Sequence, residues 1–277
     1  MHSPTTHDGT SRRDRSTMRD YTGTTAIVTG ASAGLGVEFA RALGGRGANL
    51  VLVARRGDRL ETLAEELRDA HAVDVHTLAL DLASPEATET LVAFVREKGL
   101  TIDSLINNAG FATHGEFITT DPARLDEEVR LNVGAVVAFT RAFLPEMTAS
   151  GRGVLVNLAS TAAFQPVPLM AVYGATKGFV LDFTHALAYE TRHTGLRVTA
   201  LCPGATKTEF FDIAGDGARV GDFAVPSEVV AVAMRALDAR RTPSKIVAGA
   251  KNSISSAIAR VLPRGLVTPV TARLMAE

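Results

Sequence analysis

Thr29-Gly30-Ala31-Ser32-Ala33-Gly34-Leu35-Gly36 follows the strand-like run Thr25-Ala26-Ile27-Val28 and precedes a helix-like run from Val37. A glycine-rich turn between a strand and a helix lets the backbone fold tightly and approach a pyrophosphate. The phosphate charge then meets the positive end of the helix dipole. This stretch therefore predicts a βα unit of a dinucleotide-binding α/β fold. The first two glycines, Gly30 and Gly34, are separated by three residues, where the usual dinucleotide fingerprint has one.

A second stretch lies far downstream. Val154-Leu155-Val156-Asn157-Leu158-Ala159 reads as a buried strand that delivers Ser160 to its carboxyl end, where a hydroxyl can hydrogen-bond a substrate oxygen. Pro166 and Pro168 forbid a helix just beyond, while the run from Tyr173 is helical and places Tyr173 and Lys177 one turn apart on one face. A phenol titrates near ~10 and exchanges protons poorly at neutral pH unless a nearby cation lowers that value. Lys177 is placed to be that cation. On its own such a pair is also what any solvated helix surface carries.

Taken together and in this order, the glycine turn and the Ser160, Tyr173, Lys177 set resemble the short-chain dehydrogenase/reductase family, from roughly Thr24 to Gly249. The resemblance implies a single doubly wound α/β domain on a mainly parallel seven-stranded sheet. It implies hydride transfer between a nicotinamide and a carbonyl or secondary alcohol. In that reading Tyr173 is the acid/base, Lys177 lowers its pKa and holds the ribose, Ser160 positions the substrate oxygen, and Asn132 completes a water-linked relay. Without the resemblance, Asn132 on the stripe Leu125, Val129, Val133, Val136 is equally a core asparagine bonded to backbone.

Several further positions are expected to hold the cofactor. Gly30, Ser32, Ala33, Gly34, Leu35 and Gly36 form the pyrophosphate turn. The strand Ala48 to Ala54 ends in Arg55-Arg56, with Arg55 where an acid would bind a ribose 2′-hydroxyl; arginine there suits a 2′-phosphate, so NADP(H) is preferred over NAD(H). Asp81 and Leu82 close the third strand, Asp81 either meeting the adenine edge or capping a helix that Ser84-Pro85 opens. Asn107-Asn108-Ala109-Gly110 follows the fourth strand, with Asn108 as the cofactor contact beside Ala109 and Gly110. Pro203, Gly204, Thr206 and Thr208 match the family's turn facing the nicotinamide and pyrophosphate.

The chain of 277 residues is 46% hydrophobic with a formal net charge of −1, enough for one large core and without the basic field that nucleic acid requires. Cys202, the single cysteine, lies in an apolar run and excludes an internal disulfide. Residues 1 to about 20 are polar and are expected to be a disordered extension lacking the apolar core of a signal peptide, with Met18 a second candidate start. No spanning helix is predicted, so a cytoplasmic protein is expected.

The catalytic domain spans 21–250, with a Gly- and Asp-rich substrate lid at about 205–225. Phe111, Phe164, Met170, Phe210 and Phe211 are expected to line an apolar pocket for a small carbonyl or alcohol. The helical face Phe179, Phe183, Ala186, Leu187 suits either a homodimer or homotetramer contact or the core. The tail 251–277, expected to break at Pro263 and Pro269, covers the pocket, packs on a partner, or lies on a membrane surface; it is the only segment suited to membrane contact. A regulatory protein that senses NADP(H) without turnover is the alternative, but it has no need of all four catalytic residues.

Overall fold

A computed structural model of the chain describes residues 18–215, 218 and 223–276. The expected N-terminal extension up to residue 17, and lid residues 216, 217 and 219–222, lie outside the described residues.

Seven strands, β1 (Thr25–Thr29), β2 (Asn49–Ala54), β3 (Val75–Ala79), β4 (Ser104–Asn107), β5 (Val154–Leu158), β6 (Arg197–Cys202) and β7 (Lys245–Val247), form one sheet in the order β3-β2-β1-β4-β5-β6-β7. All six pairings are parallel. Both faces are covered, which is why these strands read as continuous apolar runs. Ala26, Val28, Leu50 and Leu52 point to one side, against α1 (Gly34–Gly44), α2 (Gly57–His71) and α8 (Pro226–Asp238). Ile27, Val51, Val53, Leu105 and Leu155 point to the other, against α3 (Ala87–Glu97), α5 (Val136–Ser150) and α6 (Ala171–Glu190). Strand order reverses between β1 and β4, and there the carboxyl ends of the strands open a crevice.

Three expectations about helices need correction. The helix after β3 begins at Ala87 rather than at Ser84-Pro85, because the Asp81 carboxylate accepts from Ala83 N at 3.1 Å and closes a turn that contains Ser84. Helix α4 (Pro122–Val129) opens on Asp121 and Pro122 as read, but a π-helical turn, Arg130–Ala135, joins it to α5. That turn shifts the phase of the helix, so Glu128 is buried and Val129 is exposed. The tail forms α9 (Ala250–Val261) and α10 (Arg264–Ala276); Pro263 separates them, whereas Pro269 lies within α10. On α6, Leu187 enters the core while Phe179 stays exposed and stacks on Phe183 with ring centroids 5.8 Å apart.

Candidate active site

The crevice holds a cavity of about 550 Å³. At its floor, Gly30 turns with φ +65°, and a Cβ there would meet Asn108 Nδ2 at 2.8 Å and Ala109 Cα at 3.0 Å. Asn108 braces this turn, donating to Thr29 O at 2.9 Å and Gly30 O at 3.2 Å, while Asn107 turns below the sheet to Asn157 Oδ1 at 2.8 Å and Thr140 Oγ1 at 3.1 Å. Gly34, at φ +57°, lies against Thr208, whose Cγ2 would stand 2.7 Å from an added Cβ. Helix α1 starts here with no side-chain cap and no acidic residue in its first turn, so its leading N–H groups are left for an anion in the cavity. This donor set fits the diphosphate of a dinucleotide.

Every expected cofactor position lines the cavity except Gly36, which packs behind the turn. Among the arginines the emphasis moves by one residue. Arg56 donates to Ser32 Oγ from Nε at 3.3 Å and Nη2 at 3.1 Å, whereas the Arg55 side chain is 64% exposed, with Glu127 at 3.9 Å. Arg59 joins this cluster. Glu209, the residue before α7 (Phe210–Ala214), bridges Arg56 at 2.7 Å and Arg59 at 2.5 Å. The two guanidinium groups hold its carboxyl below the usual carboxylate range. Glu209 and Arg59 lie 150 residues apart, and no local pattern announces their meeting.

On the opposite side of the cavity stand Ser160, Tyr173 and Lys177. Ser160 follows β5 in an extended conformation, accepts from Ala162 N at 3.1 Å, and lines the cavity with the Tyr173 phenol. Lys177 Nζ donates to Leu158 O at 2.7 Å and lies 5.7 Å from the centroid of the Tyr173 ring. Burial opposes the expected downward pull on the phenol. Burial pushes Tyr173 up to about 12, opposed by the Ser160 hydroxyl and reinforced by Glu128. Burial likewise lowers Lys177 to about 8, with Glu128 opposing. At neutral pH the phenol is protonated and Lys177 is largely an ammonium.

Asn132 lies beside this group but does not face the cavity. Its Nδ2 donates to Phe111 O at 2.9 Å and Thr176 Oγ1 at 3.2 Å, and its Oδ1 accepts from Phe111 N at 3.2 Å. A Cβ on Gly110 would come within 2.8 Å of Asn132 Oδ1 and 3.4 Å of Lys177 Nζ, so both groups meet over that glycine. One turn earlier, the buried Glu128 accepts from Thr113 N at 3.1 Å and Thr113 Oγ1 at 2.7 Å, leaving Oε1 without a partner. Burial raises its pKa. Cys202 is a buried thiol, as expected, pushed up to about 12 by the same cause.

The far end of the cavity is apolar, with Phe111, Val167, Met170, Phe210, Phe211 and Met275 on its walls, and the Phe210 ring 5.5 Å from that of Tyr173. Phe164 is absent from this wall; it packs with Val180 and Cys202 in a separate cluster. Asn252, Ser256 and Thr271, from α9 and α10, add the polar groups, so the tail roofs the cavity.

A family model described as short chain dehydrogenase matches residues 24–216. The chain is 38% identical over 186 residues to a sulfoacetaldehyde reductase 2 of Chromohalobacter salexigens, covering 66% of this chain and 73% of that one. Among solved structures, a short-chain dehydrogenase from Sphingobium yanoikuyae in complex with NADPH superposes with a TM-score of 0.76 at 34% identity, covering 88% of this chain and 94% of that one. An alcohol dehydrogenase of Thermococcus sibiricus complexed with 5-hydroxy-NADP gives a TM-score of 0.71 at 26% identity, covering 81% and 95%. With the glycine turn, the parallel sheet and the serine-tyrosine-lysine cluster on one crevice, this protein belongs to the short-chain dehydrogenase family.

Proposed function

We propose that the protein is an NADP(H)-dependent reductase of apolar ketones or acyl-type carbonyls. The observation that carries this reading is the convergence of Ser160, Tyr173 and Lys177 on the cavity whose other end is the glycine turn and the Arg56 cluster. NADPH, which one of the similar structures binds while another binds 5-hydroxy-NADP, would supply the hydride. The turn from Gly30 to Leu35 and the N–H groups of α1 would hold its diphosphate. Ser32, Arg55 and Arg56 would hold the 2′-phosphate, Asp81 and Leu82 the adenine, and Asn108 to Gly110 with Pro203, Gly204, Thr206 and Thr208 the nicotinamide half.

The residues' own chemistry supports carbonyl reduction. Ser160 and Tyr173 together offer hydroxyl donors to one substrate oxygen, and a phenol held in its protonated form is the species that can give a proton to a forming alkoxide. Lys177, cationic at neutral pH, stabilises the phenolate left behind, and Asn132 and Lys177 meeting over Gly110 provide the route for its reprotonation. The exposed Phe179 on α6 is the face through which a homodimer or homotetramer would form.

The test is Tyr173→Phe assayed by NADPH oxidation against a panel of apolar ketones. Turnover is expected to fall by about 10²- to 10⁴-fold with NADPH binding retained. Near-normal turnover in the variant would refute the assignment.

A further inference from the structure

Helix α9 is amphipathic in the reverse of the usual sense. Its inward side presents Asn252 and Ser256 to the cavity, while Ile254 and Ile258, 63% and 53% exposed, lie on the outward side with Val261 at 85%. Ile258 follows Ser256 by two positions, a rotation of roughly 200° about the helix axis, so the apolar stripe points directly away from the body of the protein. On α10, Leu266 and Val270 are also exposed, at 63% and 59%. Exposed apolar side chains gathered on a helix face in this way mark a docking surface.

The charges around the stripe say what it docks on. Between Ala250 and Ala276 the chain carries Lys251, Arg260, Arg264 and Arg273, all exposed, and no Asp or Glu. A two-fold contact between copies would set this cationic tail against its own copy, with no carboxylate between residues 250 and 276 to answer Arg260 and Arg264. Apolar side chains flanked by unopposed cations suit an anionic lipid interface, where the stripe enters the headgroup boundary and the cations meet phosphate. No helix among the described residues is long and apolar enough to cross a membrane, so the contact is peripheral.

We propose that the outward face of α9–α10 binds the surface of an anionic membrane. Because the inner sides of the same two helices roof the cavity, binding would place the cavity roof at the lipid interface.

The test is co-sedimentation of the full chain with vesicles of equal parts phosphatidylcholine and phosphatidylglycerol, against vesicles of phosphatidylcholine alone. The expected result is retention on the anionic vesicles that falls about tenfold or more on neutral ones and in about 0.5 M salt. The double variant Ile258→Asn/Val261→Asn should lose retention, and Arg260→Gln/Arg264→Gln should lose it independently, so that a folding defect in one does not obscure the outcome. Absence of parent binding, equal binding to both vesicle types, or unchanged retention in both variants would overturn the proposal. So would a result in which the asparagine variant altered only the sedimentation coefficient of the free protein, because self-association would then account for the face.

Discussion

Replacing Gly36 by alanine probes how tightly the glycine turn is built, and its cost follows from three distances. The added Cβ would lie 2.3 Å from Gly30 O, 2.8 Å from Gly30 C and 2.8 Å from Asn108 Nδ2. A carbon rests against a carbonyl oxygen at about 3.3 Å or more, so the turn and α1 must separate by about 1 Å. Neither partner yields easily. Gly30 N is bound to Val53 O at 2.8 Å, and its own carbonyl accepts from Asn108 at 3.2 Å. Overpacking costs about 1–3 kcal/mol, and a clash with backbone, which has no rotamer to change, belongs at the upper end. We expect Gly36→Ala to lose about 3 kcal/mol, a large share of a typical stability of about 5–15 kcal/mol, and its melting temperature to fall by about 6–12 °C. Gly134→Ala is the control: Gly134 is exposed, has nothing within 4 Å of an added Cβ, and stands in a helical turn where alanine should be neutral or gain about 0.5–1 kcal/mol. Urea unfolding followed by circular dichroism measures both. A loss below about 1 kcal/mol in Gly36→Ala would refute the claim that the turn has no room.

Two further outcomes follow from the charges. Glu209 occupies Arg56, one of the two guanidinium groups proposed for the 2′-phosphate, so Glu209→Gln should tighten NADPH binding by about two- to fivefold and leave NADH unchanged, as read by fluorescence titration; equal shifts for both nucleotides would sink the idea. Lys177, at about 8 in the fold against an ordinary 10.5, makes the unfolded chain hold more protons between those values, so stability rises with pH across that window. Tyr173 acts oppositely from pH 10 towards 12, where the fold keeps a proton that the unfolded chain has lost. Unfolding free energies at pH 8 and 10 should therefore rise in the parent and stay flatter in Lys177→Met, and parallel slopes would count against the buried lysine as the cause.

What the sequence made legible was chemistry confined to short windows. Gly30 and Gly34, the strand end at Ser160, and the one-turn spacing of Tyr173 and Lys177 are each decided by residues within reach of one another along the chain. Arg59 and Glu209 meet only because the segment before α7 folds back over the start of α2, and tertiary contacts of that separation leave no periodic trace. The stripe read through Val129 failed for a different reason: counting back from Asn132 at 3.6 residues per turn selects Val129 and Leu125, but the π-helical turn inserts extra arc and brings Glu128 inward instead. For Tyr173 the sequence announces a neighbouring cation and conceals how completely the phenol is desolvated.

That π-helical turn also constrains which changes of length the chain tolerates. It places two polar side chains, Glu128 and Asn132, against the same loop, one gripping Thr113 and the other Phe111. Deleting a single residue between Arg130 and Ala135 would restore the ordinary helical pitch and leave Glu128 on its present face, whereas straightening the turn at full length would rotate everything upstream by about 100°. In the straightened helix Glu128 would swing off Thr113, and the lip of the cavity would lose one of its two tethers. A helix of seemingly redundant length thus keeps time: its wide turn decides that Glu128 rather than Val129 meets the loop beside Asn132.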